Sequence, residues 1–174
     1  MRRFAAASAA AFLLIAPAQA KGPDASEAEA LLGAYAEAWA SLDAARLEAH
    51  WDVGDDAPLY IAEEVDAVFS DWSAVRGYWR ANAAYIAEID VAFDAPVIKE
   101  LGAREALVAA QMRWRVAFKS AAMKPIAGDN RVVALVRRKD GAWKLAAWIE
   151  APLAPLAYLR RELERDAAPI PSEP

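Results

Sequence analysis

The sequence predicts an α+β fold shaped like a cone, in which helices from the N-terminal half close a strongly curved antiparallel sheet. Apolar residues recur at the helical period between residues 26 and 51, and they alternate at the strand period of two between residues 105 and 151. Two predicted strands, at 59–69 and 105–119, exceed about ten residues, a length at which a sheet curls. Because a curled sheet closed by helices encloses a cavity, we expect a pocket inside the cone.

Two helices are predicted first. Ser26 and Glu29 have the spacing of a capping box, and Asp43 is a suitable N-cap for a short second helix over residues 44–51. One stripe of the first helix consists of Ala28, Leu31, Leu32, Tyr35, Trp39 and Leu42. The residues D-V-G-D-D-A-P at 52–58 then predict a turn.

A strand over residues 59–69 and a third helix capped by Ser73 are predicted next. One face of this strand is apolar except for Glu63; its other members are Leu59, Ile61, Val65, Ala67 and Phe69. One stripe of the helix consists of Val75, Tyr78, Trp79, Asn82 and Ile86.

The rest of the domain is predicted as antiparallel strands. Apolar and charged residues alternate from Glu88 to Asp94 and again from Glu105 to Lys119. The apolar face of the second segment consists of Val108, Ala110, Met112, Trp114, Val116 and Phe118. Asp140-Gly141 predicts a hairpin between strands at 131–139 and 143–151.

The N-terminal end has the layout of a secretory signal peptide over residues 1–20. Two arginines precede a short apolar run, and small residues follow at Ala18 and Ala20. We therefore expect cleavage after Ala20 and a periplasmic or secreted protein that does not associate with a membrane afterwards.

The folded domain is assigned to residues 26–166. Residues 21–25 and 167–174 are expected to be disordered because of their composition. After Pro155, a short amphipathic helix is expected, with Leu156, Leu159 and Leu163 on one side.

The composition excludes several function classes. The formal net charge of −5 disfavours nucleic acid as a partner, and the absence of cysteine excludes disulfides and thiol chemistry. The single histidine, His50, has no metal-ligand spacing around it, so no metal site is expected. No glycine-rich phosphate loop or dinucleotide motif occurs, and we expect no cofactor.

Two segments resemble a known family. L-L-G-A-Y-A-E-A-W-A-S-L-D-A-A-R-L-E-A-H-W at 31–51 resembles the opening helix pair of the nuclear transport factor 2-like (NTF2-like) superfamily, whose members include SnoaL-like cyclases and ketosteroid isomerases. N-R-V-V-A-L-V-R-R-K-D-G-A-W-K-L-A-A-W-I-E-A-P at 130–152 resembles its closing hairpin. The resemblance covers residues 26–152 and implies the cone. The scaffold also hosts dehydratases and binding domains, so the resemblance does not choose an activity.

Glu63 and Tyr35 are the candidate catalytic residues. A carboxylate on an apolar strand face would have a raised pKa and could act as a general base. The resemblance implies the same roles, because the isomerases have an acid in this strand and an oxyanion-donating tyrosine in the first helix. Two alternatives remain: a bulge that turns Glu63 and Glu64 to solvent, and an ordinary core role for Tyr35.

The candidate ligand-binding residues lie near the expected opening of the cone. Tyr78, Trp79 and Trp148 offer flat rings, and Glu150 offers a polar contact at the rim. Arg115, which shares a strand face with Gln111 and Arg113, would clamp an acidic ligand if that face lined the cone. Otherwise that face is the outer, solvated or dimer-forming side of the sheet.

Three functions are compatible with these residues. The favoured hypothesis is a binding module that holds a small apolar or aromatic molecule without turnover. The second is an isomerase, cyclase or dehydratase with Glu63 as base and Tyr35 as oxyanion donor. The third is a non-enzymatic adaptor of the cell envelope, acting as a homodimer.

Overall fold

The computed structural model describes residues 22–94 and 96–152. Its elements are α1 (Ala25–Ala40), α2 (Ala44–Glu48), β1 (Leu59–Ile61), α3 (Trp72–Tyr85), β2 (Ile86–Phe93), β3 (Val97–Gly102), β4 (Glu105–Phe118), β5 (Ile126–Lys139) and β6 (Ala142–Pro152). The predicted signal peptide, C-terminal helix and C-terminal tail lie outside the described residues. No helix in the described ranges is long and apolar enough to cross a bilayer.

The six described strands form one sheet, in which five follow the order β1-β6-β5-β4-β2 and β3 pairs separately with β4. All pairs are antiparallel except β1 with β6. β4 pairs with β5 along one edge, and its other edge is shared between β3 near Glu105–Ala109 and β2 near Met112–Phe118. The predicted α+β class with a mostly antiparallel sheet is confirmed.

The hairpin between β5 and β6 turns at Asp140-Gly141, as predicted. Both residues have positive φ angles, 48° and 85°, as a two-residue hairpin turn of the mirror-image type requires. The predicted alternation of β4 is also present, since Val108, Ala110 and Met112 are buried.

The start of α1 differs from the prediction. Asp24 and Glu27, rather than Ser26 and Glu29, form the capping box: Glu27 N donates to Asp24 Oδ1 at 2.9 Å, and Asp24 N donates to Glu27 Oε2 at 3.1 Å. Residues 22–23, expected to be disordered, are buried. An aspartate carboxylate carries a full negative charge that a serine hydroxyl lacks, so it is favoured beside the positive end of the helix dipole.

The start of α3 follows the same rule. Asp71, and not Ser73, is its N-cap, since Ala74 N donates to Asp71 Oδ1 at 2.8 Å. Asp43 caps α2 as predicted, although that helix ends at Glu48.

The predicted long strand over 59–69 is wrong. β1 ends at Ile61, and the chain turns at Glu63-Glu64. It then returns so that Phe69 and Tyr60 exchange two backbone hydrogen bonds of 2.9 Å. Glu63 therefore does not lie on an apolar strand face. The alternative, a bulge that turns Glu63 and Glu64 to solvent, is met only in part, because the irregularity is a turn in which Glu64 is exposed and Glu63 is half-buried.

A bulge in β6 changes which residues face the helices. Leu135 pairs with Ala147 whereas Val136 pairs with Leu145, so Ala146 is an extra residue. Before the bulge Trp143 and Leu145 are buried, and after it Trp148 is buried. A regular strand would have turned Trp148 outward. The bulge thus directs Trp148, and with it Glu150 two residues on, into the cone.

Candidate functional site

Glu150 lies at the centre of a cluster of hydrogen-bond donors inside the cone. Its Oε1 accepts from Trp148 Nε1 at 2.7 Å and from Tyr60 Oη at 3.4 Å. Its Oε2 accepts from Asn130 Nδ2 at 3.3 Å and from Glu63 N at 3.4 Å. Three of these four bonds are long and therefore weak, so the short bond to Trp148 is the main anchor.

Burial raises the pKa of Glu150 from 4.5 to about 7. The bonds from Trp148 and from the Glu63 backbone act in the opposite direction, while the nearby negative charges of Glu64 and Glu63 raise the pKa further. The pKa of Glu150 is thus shifted towards neutral pH, where a carboxyl group can serve both as base and as acid.

A chain of side chains from the neighbouring strands supports Glu150. Trp114 Nε1 donates to Asn130 Oδ1 at 3.3 Å, and the amide nitrogen of the buried Asn130 donates to Glu150. Gly128 lies opposite Trp114, and a Cβ atom at Gly128 would come within 2.6 Å of the indole ring. The absence of a side chain at Gly128 therefore allows the ring of Trp114 to lie there.

Beside Glu150 is a cavity of about 130 Å³ that opens to solvent. Its aromatic lining consists of Trp39, Tyr78, Tyr85, Trp114 and Phe118. Its aliphatic lining consists of Ile86, Ile89, Val91, Met112, Val116 and Ile126. Its polar lining consists of Glu64, Asn82 and Glu150. An engineered apolar cavity of about 150 Å³ holds benzene, so this one suits a molecule of about one ring.

The Glu63-Glu64 turn brings two more carboxylates close to Glu150. Glu64 is exposed, lines the cavity and accepts a hydrogen bond from Tyr78 Oη at 2.5 Å. Burial raises the pKa of Glu63, and the charge of Glu64 adds to this effect. Glu63 contacts Glu150 through its backbone N–H but does not line the cavity. Glu63, the predicted base, thus lies beside the cavity and not in its wall. Glu150 is the carboxyl group in the wall.

Tyr35 is fully buried beneath the site. Its ring lies edge-on to Trp148, with centroids 5.0 Å apart, and also contacts Trp39 and His50. Its hydroxyl has no hydrogen-bond partner within residues 22–94 and 96–152, and burial raises its pKa well above the ordinary range. Because Tyr35 does not line the cavity, it has the core role that was the alternative to an oxyanion donor.

The four aromatic or acidic ligand candidates have different positions. Tyr78 and Glu150 line the cavity. Trp148 is fully buried and holds Glu150. Trp79 is a core residue packed against Trp51 and Tyr60, so its predicted position at the opening is wrong.

Arg115 does not face the cavity. It lies on the outer side of the sheet, where its guanidinium is 3.4 Å from Asp90 and 3.7 Å from Glu88. Arg113 is paired with Asp94 on the same side at 3.1 Å. The prediction that Arg115 clamps an acidic ligand is therefore wrong. Successive side chains of β4 point to opposite faces of the sheet, and its arginines lie on the face away from the cavity.

Sequence reasoning missed several residues of the site. Asn130 and Tyr60 were not singled out, although Asn130 shares strand parity with the buried Val132 and Ala134. That parity was a usable signal for a polar side chain on the inner face. Tyr85 carried no comparable signal, because the end of a helix is hard to locate from sequence.

Two other features of the structure are weaker candidates for a functional site. A shallow depression of about 470 Å³ lies outside the cone between α1 and β2, and its aspartates, Asp90 and Asp94, are exposed and paired with arginines. His50 packs against Tyr35, and burial lowers its pKa. The described part of the chain contains no group of three metal-ligating residues that could hold an ion.

Solved structures share this fold. A proposed aromatic ring hydroxylase from Novosphingobium aromaticivorans has a TM-score of 0.67 and 14% identity, with 78% of this chain and 94% of that chain covered. A proposed scytalone dehydratase from the same organism has a TM-score of 0.64 and 11% identity, with coverages of 72% and 80%. An NTF2-like superfamily protein from Salmonella enterica has a TM-score of 0.64 and 11% identity, with coverages of 73% and 89%.

The cone described above is therefore the NTF2-like fold. Within it, residues 28–153 match the SnoaL-like domain, and the chain belongs to the SnoaL-like domain family. No curated protein matches the sequence at a significant level. The low identities to the solved structures establish the fold alone.

Proposed function

We propose that this protein is an enzyme in which Glu150 acts as a general base and acid on a small, largely apolar molecule bound in the cavity. The observation that supports this proposal is a carboxyl group with a pKa of about 7 on the wall of an apolar cavity. The chemistry belongs to the isomerase, cyclase or dehydratase type, as do several proteins that share the fold.

The ionised carboxylate of Glu150 would accept a proton from a carbon of the ligand. The C–H electron pair then forms a new double bond, and a neighbouring bond releases its own pair to a carbonyl oxygen or a leaving group. The protonated carboxyl can return the proton to another carbon, which gives isomerisation, or to the departing oxygen, which gives elimination of water. No oxidant or reductant is required.

The hydrogen bonds of Glu150 suit this role. Trp148 fixes Oε1 with a short bond, whereas the 3.3 and 3.4 Å bonds from Asn130, Tyr60 and the Glu63 backbone are weak enough to yield to a ligand. The apolar walls limit the water that would otherwise compete for the proton.

Binding without turnover remains the second candidate. The aromatic and aliphatic lining favours it, because such walls hold an apolar molecule whether or not Glu150 reacts. The two functions differ in one respect: binding alone does not need an ionisable group at position 150.

A test uses nitrobenzisoxazole, a small aromatic probe for a carboxylate base in an apolar cavity. The base removes the proton on the ring carbon, the C–H pair forms a nitrile, and the N–O bond breaks to give a coloured cyanonitrophenolate. We expect Glu150→Gln to lower kcat/KM by about 100-fold or more. Glu29→Gln removes the same charge at an exposed position on α1 and should leave the rate unchanged. Binding of the probe without Glu150-dependent conversion would favour the second candidate.

A further inference from the structure

We infer that the ligand of this cavity is a small organic cation: an ammonium group on an apolar body of about one ring, with its charge held between Glu64 and the rings of Tyr78 and Tyr85. The inference rests on the proposed use of the cavity and names the chemical class that it accepts.

The first argument is the sign of the charges. Glu64 and Glu150 line the cavity and Glu63 is beside them, whereas no lysine or arginine is among the described lining residues. Lys119 follows the lining residue Phe118, but its ammonium group is bound to the carbonyl oxygen of Ala83 at 2.7 Å. Two carboxylates in the wall and a third beside it make the potential in the cavity negative, so an anionic ligand is disfavoured and a cationic one is attracted.

The second argument is the aromatic wall. Tyr78, Asn82 and Tyr85 are four and three residues apart on α3 and therefore share one helix face, which lines the cavity. Tyr78 packs edge-on against Trp39 at 6.2 Å, and Tyr85 stacks on Phe118 at 6.2 Å between centroids. Phe118 covers one face of Tyr85, and Tyr60 and Phe69 pack against Tyr78 at 5.2 Å between centroids. An ammonium group in the cavity is attracted by the part of these rings that lines it, because the face of an aromatic ring is negative.

The third argument is the geometry of Glu64. Tyr78 Oη donates to Glu64 Oε1 at 2.5 Å, so the carboxylate acts as an acceptor and its direction at the cavity mouth is fixed. Only Oε1 takes part in that bond, which leaves Oε2 for a ligand. Glu64 would thus hold the positive charge at the mouth while Glu150, deeper in, handles the proton.

The test compares three probes with the same ring and different charge: benzylammonium, benzyl alcohol and benzoate. Binding is measured by calorimetry at neutral pH and low ionic strength, where charge effects are least screened. We expect benzylammonium to bind about tenfold more tightly than benzyl alcohol, and benzoate to bind more weakly than both. Glu64→Gln should remove the advantage of benzylammonium and leave benzyl alcohol unchanged, and Glu29→Gln should affect none of the three.

Equal affinity for benzylammonium and benzyl alcohol, tighter binding of benzoate, or binding of none of the probes would each overturn the inference. Its failure can be told apart from that of the proposed function. Glu150-dependent conversion of nitrobenzisoxazole without a preference for benzylammonium would keep the general base and reject the cationic ligand. A Glu64-dependent preference without conversion would do the reverse.

Discussion

The indole Nε1 of Trp148 lies 2.7 Å from Oε1 of Glu150, two residues further along the same face of β6. Both face inward because Ala146 is an extra residue in the pairing of β6 with β5. A hydrogen bond to a charged acceptor is stronger than one between neutral groups, so Trp148 stabilises the ionised carboxylate against the cost of its burial. The bulge thus both buries the acid and supplies the donor that keeps it partly ionised.

The pH dependence of activity follows from the state of Glu150. Since its pKa is raised to about 7, the carboxylate that serves as base is populated above that pH. We expect kcat/KM for nitrobenzisoxazole to rise with pH through about 7 and then to level off, because this parameter reports the ionisation of the free enzyme. A profile that is already flat from about pH 5 upward would contradict a base with this pKa.

The raised pKa of Glu150 should also make folding stability depend on pH. Because the folded-state pKa is above the unfolded value of 4.5, the folded protein holds a proton between about pH 4.5 and 7 that the unfolded chain has lost. The folded state is therefore stabilised at low pH relative to high pH. This contribution to the free energy of unfolding, about 3 kcal/mol, is lost as the pH rises through about 7. Urea unfolding at about pH 5 and pH 8 should show this loss in the wild type and not in Glu150→Gln. Parallel pH dependence in the two proteins would contradict it.

Trp148→Phe should make Glu150 a weaker acid. The change removes the short N–H donor that favours the carboxylate, so the midpoint of the pH–rate profile should move upward by about one unit. Unfolding should become easier by about 2 kcal/mol, since a bond to a charged group and some packing are lost. Trp143→Phe is the matched control: Trp143 donates to Glu27 at 3.3 Å, away from the cavity, and should leave the profile unmoved.

Gly128→Ala should disturb the support of Glu150. The new methyl group would lie within 2.6 Å of the Trp114 ring, which must move and release its bond to Asn130. We expect a loss of about 1–3 kcal/mol in the free energy of unfolding and weaker benzyl alcohol binding. Gly33→Ala, at an exposed position within α1 with no neighbouring atom within 4 Å, should instead stabilise the protein by about 0.5–1 kcal/mol. Equal effects of the two substitutions would contradict the role given to Gly128.

The fold could be predicted because its signals are periodic and local. The alternation in β4 and the Asp140-Gly141 turn each determine their structure within a few residues. The bulge at Ala146 could not be predicted in the same way, because it depends on how β6 meets β5. Strand parity without that bulge places Trp148 and Glu150 on the outside.

The candidate site was predicted only in part for the same reason. Glu63 is the predicted base because a continuous strand would bury it on an apolar face, whereas Glu150 is predicted only as a polar contact at the rim. The chain turns at Glu63-Glu64, and Glu150 is the carboxyl group that lines the cavity beside it. Which of the two carboxylates lines the cavity depends on the turn at Glu63-Glu64 and on the bulge at Ala146. Both features depend on contacts between residues that are distant in the chain.

Tyr35→Phe separates a structural tyrosine from a catalytic one. An oxyanion donor must reach the ligand, and its loss lowers kcat by about 100-fold or more. The hydroxyl of Tyr35 is instead buried and has no partner among the described residues, so its removal eliminates a desolvation cost and loses no hydrogen bond. We expect conversion of nitrobenzisoxazole to be unchanged and the free energy of unfolding to be equal or higher by about 1 kcal/mol. Tyr78→Phe is the contrasting variant, because it removes a hydroxyl that is bonded to Glu64 at the cavity mouth, and it should weaken the binding of benzylammonium. A large loss of turnover in Tyr35→Phe with stability retained would contradict the core role and support the predicted role of Tyr35 as an oxyanion donor.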